Sequence, residues 1–260
     1  MFVNRFAVFF TFTLFIFCDS TFVDNLPKCH LDDFVCLRDL YESVIRDIGK
    51  SGMPELNIPP VDPIRLINVT VSVLDMVNIT MVDGIAKGIK DCIFEKFSIN
   101  IKEERGHQEN TCNLTIKGHY TVNASSPLIA AFLGGNTIHG DGNAKLKIDK
   151  LHLKFDFPFF AQRREDGEIY IKCIYDLIKY EYEIGGPLVM FADNLYMGDE
   201  EVSKQVTDFM NENWRFVMSS FGQPFVDKAL EFYFKFAGYF FDNVPARHFI
   251  IEDLSPYARP

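Results

Sequence analysis

Six histidines and six cysteines are the residues in this 260-residue chain best equipped for chemistry. The histidines, His30, His107, His119, His139, His152 and His248, are scattered, and none belongs to a His-Glu-x-x-His pattern that would set two imidazoles on one helical face for zinc. No Cys-x2-4-Cys pair with a matching histidine pair offers a structural zinc site. There is no Gly-x-Ser-x-Gly elbow to raise a hydrolase nucleophile above a sheet. Asp141-Gly142 and Asp166-Gly167 read as turns, because a calcium loop needs carboxylates at further alternate positions. No catalytic residue, no metal ligand and no cofactor site is assigned.

The cysteines and asparagines point instead to export. Arg5 is the only charge before the apolar run Phe6–Phe17, and a small residue at position 20 follows. This is the pattern of a secretory signal peptide, residues 1–20, and the apolar run is too short for a bilayer that takes about 20 residues to cross. Without Arg5 and Asp19 the remaining chain has 25 basic and 35 acidic residues, so its net charge stays at −10. It has no Lys/Arg run, which makes it a poor partner for nucleic acid and for anionic membrane surfaces. No later segment is long and uncharged enough for stable membrane insertion.

Setting Cys18 aside leaves Cys29, Cys36, Cys92, Cys112 and Cys173, an odd number that leaves at least one thiol unpaired or in an intermolecular bond. A bridge between Cys29 and Cys36 would pin a segment near the start of the mature chain that otherwise frays. Cys112 and Cys173 share the apolar parity of their strands, so buried free thiols fit them as well as a second bridge does. Four glycosylation sequons begin at Asn68, Asn78, Asn113 and Asn123. In each, the asparagine has the opposite parity to the apolar residues around it, which turns it to the solvent face of a strand.

The elements that must carry these residues are an N-terminal helix, a long run of strands and a C-terminal helix. Leu31, Phe34, Leu37, Leu40, Tyr41, Val44, Ile45 and Ile48 recur at helical spacing, with Asp32 or Asp33 at the start and Gly49 as the stop. The stretch "GMPELNIPPVDP", residues 52–63, reads as a stiff extended connector from helix to sheet. From Leu66 to Ile184 the pattern is nearly all strand. Turn signals stand at Asp83-Gly84, at 103–110, at 134–136, at 141–142, at 166–167 and at 185–187. The apolar parity changes midway through 145–157 and again through 169–184, which predicts two β-bulges and a strongly curved antiparallel sheet. Residues 200–241 read as one long helix, kinked at Gly222 and Pro224, that fills the concave side. The fold class is α+β, in a single domain over 21–260.

Several stretches carry a family resemblance: Cys29-x6-Cys36, the proline stretch, "GHYTVN" (118–123), "GDGNAKLKI" (140–148) and "FMNENWRF" (209–216). In order and spacing the chain resembles the insect juvenile-hormone-binding and takeout-like proteins, over essentially its whole mature length. The resemblance implies a long helix wrapped by a highly curved sheet, related to tubular lipid-binding domains. It implies carriage of a small apolar molecule (juvenile hormone, another terpenoid or a fatty acid) in a tunnel between helix and sheet, near a gating N-terminal helix. Juvenile-hormone carriers proper commonly add a second disulfide from late in the sheet to the long helix. Cys173 could supply the sheet half, but no cysteine follows it, so a takeout-like protein with one disulfide is the better match.

On that basis the pocket candidates are Phe34, Leu37, Val44, Val69, Val71, Val73, Ile116, Tyr120, Phe209, Val217 and Phe221. Tyr120 offers a phenol to an ester, epoxide or carboxyl, against the plainer reading of a buried tyrosine bonded to backbone. The chain is expected to be a secreted, extracellular, monomeric glycoprotein that is not an enzyme. A hormone esterase lacks its nucleophile, and an endotoxin-binding protein on this fold would want a cationic tip. The remaining alternative is a non-carrier interaction or signalling glycoprotein, acting through a receptor the sequence does not identify.

Overall fold

The structure, a computed structural model, describes residues 22–124, 131 and 135–260; the signal segment lies outside them. Helix α1 (Phe34–Gly49) starts where its cap predicts, with the Asp33 carboxylate accepting from the Cys36 N–H at 3.0 Å. It buries Leu37, Leu40, Tyr41, Val44, Ile45 and Ile48 along one stripe. The Cys29 to Cys36 bridge forms, with Cα atoms 5.6 Å apart, and ties the cap to the preceding segment.

The proline stretch is not simply extended. Residues Pro54–Leu56 make a 3-10 turn, and Asn57 takes a left-handed conformation (φ 55°). The turn lets Met53 and Ile58 exchange backbone hydrogen bonds of 2.7 and 3.0 Å. The fold-back buries Met53, Ile58 and Val61, and the Gly49 carbonyl accepts from both the Val61 and Asp62 N–H groups at 2.8 Å. Apolar burial overrides the extended preference of the prolines, and the connector is glued to the end of α1.

The sheet is built on two long antiparallel strands, β4 (Arg105–Ala124) and β5 (Ile138–Arg163). On one flank β3 (Ile93–Asn100) pairs with the first part of β4, and β2 (Val77–Lys87), backed by β1 (Ile64–Val73), pairs with the rest. The other flank of β5 is shared by β6 (Ile169–Cys173), β7 (Lys179–Ile184), β8 (Leu188–Ala192) and β9 (Leu195–Met197). Strand β10 (Glu200–Glu201) pairs with β9, and β11 (Ala258–Arg259) lies parallel to β5. Register shifts between Met81 and Asp83, between Phe94 and Lys96, and between Cys112 and Leu114 bend these strands and add twist.

Several expectations are corrected. The bulge expected within 145–157 is present, with Lys150 at φ 54°. The parity change within 169–184 is instead a 3-10 turn, Tyr175–Leu177, separating β6 from β7. Asp83-Gly84 and Asp141-Gly142 lie inside β2 and β5, not at turns. The segment 103–110 is mostly strand, since β4 begins at Arg105. The glycine signal at 134–136 lies partly outside the described residues. A real hairpin turn at Leu74 and Asp75, both left-handed, had no sequence signal. Because Val73 pairs with Val77, odd residues face odd residues across that hairpin, and the alternation runs through the turn unbroken. Parity does flip at Asn68 (φ 51°), which leaves Ile67 exposed and starts the inward set at Val69.

The C-terminal helix is three segments: α2 (Ser203–Glu212), α3 (Trp214–Phe221) and α4 (Gln223–Asn243). The break at Gly222 was expected. The one at Asn213 follows from its side chain, which donates to the Phe209 carbonyl at 2.9 Å and competes with the helical ladder. No helix among the described residues is long and apolar enough to cross a membrane.

Two apolar clusters hold the fold. The larger joins α1 and α4 to β3, β6 and the paired parts of β4 and β5, with Phe155 and Phe159 fully enclosed. The smaller gathers Tyr120, Val122, Leu195 and Val202 at the far end of the sheet. A second disulfide, Cys92 to Cys112, corrects the one-disulfide expectation, and Cys173 stays a buried free thiol.

Candidate ligand-binding site

Between the two clusters the inner face of the sheet changes character. In cross-strand order, Leu66, Gly84, Gly118, Ala144 and Ala192 form a row of mostly small residues across β1, β2, β4, β5 and β8. The flexible side chain of Met81 folds over the glycines, with its Sδ 2.6 Å from where a Cβ on Gly84 would stand. A side chain on Gly118 would meet the Asp83 carbonyl oxygen at 2.3 Å, so the two backbones approach closely only because both positions are glycine.

Around this row, inward-facing apolar residues remain half-buried. Leu66, Val69, Val71, Val73, Met81 and Ile116 on the strands, and Met210, Val217 and Phe221 on the helices, belong to neither cluster. Helix α3 has no fully buried residue, although its apolar stripe is well formed. Just before it, Asn211 at the end of α2 bonds both the N–H and the carbonyl of Met190 on β8 (2.6 and 2.9 Å), and within α3 the Met218 carbonyl accepts from the Tyr182 hydroxyl at 3.3 Å. The half-buried apolar side chains face inward without joining either packed cluster, which makes them the apolar surface of the inner face that is open to further contact.

Six of the eleven sequence candidates fall in this belt: Val69, Val71, Val73, Ile116, Val217 and Phe221. Leu37 and Val44 are packed into the large cluster beneath α1. Tyr120 sits in the far cluster and its hydroxyl donates to the Asp193 carbonyl at 2.9 Å. Burial, then the nearby carboxylates led by Asp193, pushes its phenol up to about 12. Phe34 (57% exposed) and Phe209 (54%) lie outside the belt. Phe34 lines an open surface groove of about 930 Å³ between the start of α1, the turn from β3 to β4 and the C-terminal tail. The groove's lining mixes apolar residues with Asp32, Lys102, Arg105, Asp156, Glu252 and Asp253, which is not the lining of an apolar seat.

One group was missed by sequence reading. Gln108 and Asn110 are buried on the inner face of β4, where the Gln108 amide donates to Asn110 (2.8 Å) and to the Tyr233 hydroxyl (2.6 Å). Tyr233 in turn bonds Tyr41 on α1 at 3.0 Å. Burial pushes the Tyr233 phenol up to about 12, and burial, then the Tyr233 contact, raises that of Tyr41 well above its ordinary value, so both stay neutral hydrogen-bonding groups. The network latches α1 to α4 and β4. Its signal was available: 108, 110 and 112 continue the inward parity of Leu114 and Ile116.

The chemistry-bearing residues are otherwise committed. Burial pushes the Cys173 thiol up to about 12, which leaves no thiolate. His30, Asp32 and Glu252 bring ligand-type atoms within 4.8 Å of one another. Glu252, however, already accepts from the Leu31 N–H (3.1 and 3.2 Å) and contacts His30 Nδ1 at 3.0 Å, tying the entry to α1 to the C-terminal tail. All four sequon asparagines are exposed. Asn113 also accepts from the Lys150 N–H at 2.8 Å and so steadies the bulge.

A segmented helix packed on a bent antiparallel sheet, with a half-buried apolar belt between two packed clusters, is the framework that the comparisons can be set against. The family described as "haemolymph juvenile hormone binding protein" matches residues 7–251, and the chain belongs to that family. Among solved structures it is similar to Takeout 1 of Epiphyas postvittana, with a TM-score of 0.73 and 22% identity over 86% of this chain and 99% of that one. None of the curated proteins matches it by sequence.

Proposed function

We propose that the protein is a secreted, non-enzymatic carrier of one small hydrophobic ligand, of the juvenile hormone, terpenoid or fatty-acid class, seated in the belt between α3 and the inner face of β1, β2 and β4. The observation that carries this reading is the belt itself. Half-buried inward-facing apolar surface gains about 25 cal/mol for each Å² that a ligand covers. Family membership supports a hydrophobic cargo. Export is supported by the signal-like start, two disulfides and four exposed sequon asparagines. In this reading helix α1, pinned by its disulfide and its tyrosine latch, is the closing element.

The test is native mass spectrometry of the protein secreted from insect cells, followed by organic extraction. A discrete added mass that extracts as a terpenoid or fatty acid is expected. Val217→Trp should fill the belt, reduce uptake at least tenfold and leave the unfolding midpoint unchanged or higher. A protein that carries nothing and ignores added juvenile hormone and fatty acids would overturn the reading in favour of an interaction glycoprotein on this fold.

A further inference from the structure

The outer face of the sheet carries two different charge patterns. Over the part that backs the large cluster, Lys96, Glu109, Lys154 and Glu181 stand in one cross-strand row, so opposite charges alternate across β3, β4, β5 and β7. Over the part that backs the belt the alternation fails. One row runs Arg65, Ile85, Lys117, Lys145 and Phe191 across β1, β2, β4, β5 and β8. The next places Lys87, Thr115, Lys147 and Val189 side by side.

The five cations are exposed, and none is ion-paired among the described residues. Asp83 and Asp149 border the patch along the strands without an ion pair to it. Lys117 directly opposes Lys145, and like charges in that position disfavour pairing of the strands. The fold gains nothing from that repulsion, and the neighbouring half of the same face shows how easily alternation avoids it. Phe191 (54% exposed) and Val189 (50%) stand level with the lysines on the same face.

We infer that this convex patch docks the protein, reversibly and in one orientation, on an anionic phospholipid surface. The charge is complementary, and the exposed apolar side chains beside the lysines favour a lipid interface over a purely ionic polymer such as a sulfated glycan. A chain of net charge −10 is otherwise repelled from such a surface, so only this face can approach. The sequence hid the patch because its residues come from five strands and never form a run. This docking goes beyond cargo binding and does not depend on it.

The experiment is flotation of the enzymatically deglycosylated protein, since Asn113 borders the patch, with vesicles of phosphatidylcholine alone or with phosphatidylserine added. Binding only to the anionic vesicles, weakened by salt, is expected. Each single change Lys117→Gln, Lys145→Gln or Lys147→Gln should weaken it about fivefold, and the triple change about a hundredfold. Phe191→Ser should weaken binding while leaving its salt dependence unchanged. The triple variant should unfold at the same or a higher urea concentration, because repulsion is removed. Lys96→Gln with Lys154→Gln, in the alternating half, should bind as the wild type does. Wild-type protein that ignores anionic vesicles at low salt, equal loss in the two sets of variants, or lysine-dependent binding to heparin without vesicle binding would each overturn the inference.

Discussion

The two halves of this sheet share their central strands but are built on opposite terms. Under α1 and α4, Phe155 and Phe159 are sealed, Tyr41 stacks on Phe97 with centroids 4.5 Å apart, and the outer charges alternate. Under α3 the inner face is half-covered, its central row is small, and the outer face is a block of unpaired cations. The difference teaches that the tightly packed core and the apolar and cationic surfaces proposed for recognition are separated in space. Because β4 and β5 run unbroken through both halves, the well-packed half can hold the loose one in shape, so the belt need not be filled for the sheet to form.

The sharpest way to break that comparison is to truncate one residue in each half. Phe159→Ala should cost about 3–5 kcal/mol in urea unfolding, the range for a sealed aromatic, whereas Val71→Ala in the belt should cost less than about 1.5 kcal/mol. Equal costs would mean that the belt is ordinary core. Next in size is the Cys92 to Cys112 bridge, which joins the start of β3 to the middle of β4 where the halves meet. Replacing both cysteines by serine should cost about 2–4 kcal/mol. Smaller again is Cys29→Ser, which frees the start of α1. It should speed ligand release while changing stability less than loss of the other bridge, and an unchanged off-rate would count against α1 as the closing element.

How far this contrast was readable beforehand depends on which physical signal each residue carries. Helix α1 was legible because its apolar spacing, its aspartate cap and Gly49 agree. The curvature was legible from the parity shift around Lys150. The hairpin at Leu74 was not, because its register preserves parity through the turn. The break at Asn213 was obscured by an apolar stripe that continues on both sides of it. Gln108 and Asn110 were read as loop because they are polar, although their parity was inward; buried hydrogen bonds satisfied what composition appeared to forbid. Of the six belt residues picked, Val69, Val71, Val73 and Ile116 followed from strand parity and Val217 and Phe221 from the helical stripe, together with the family resemblance. That the belt joins neither cluster goes with where α2 and α3 are anchored, through Asn211 and Tyr182, and those tertiary contacts leave no local trace.

The smallest predicted effect concerns the alternating charges. Glu109 accepts from Lys96 at 2.7 Å and contacts His107 at 2.9 Å. Hydrogen bonding from Lys96 first, then His107, lowers its carboxyl from an ordinary 4.5 to about 2. A depressed carboxyl adds stability that is fully present above about pH 4.5 and is lost as the pH falls toward 2. Burial pulls the His107 imidazole down, but its bonds to Asp156 and Glu109 outweigh that and leave it raised above 6.5. A raised imidazole contributes fully below 6.5 and loses its contribution as the pH climbs through the raised value. The two windows overlap in mildly acidic solution, so the difference in urea midpoint between wild type and Glu109→Gln should be largest there and close toward pH 2. Partial solvent exposure of Lys96 and His107 keeps it to about 1 kcal/mol or less. Lysines stay charged throughout that range, so the difference between wild type and Lys145→Gln should show no such closure. If the Glu109 difference instead persisted undiminished at pH 2, the residue would be acting through packing, and the electrostatic half of the contrast would fall.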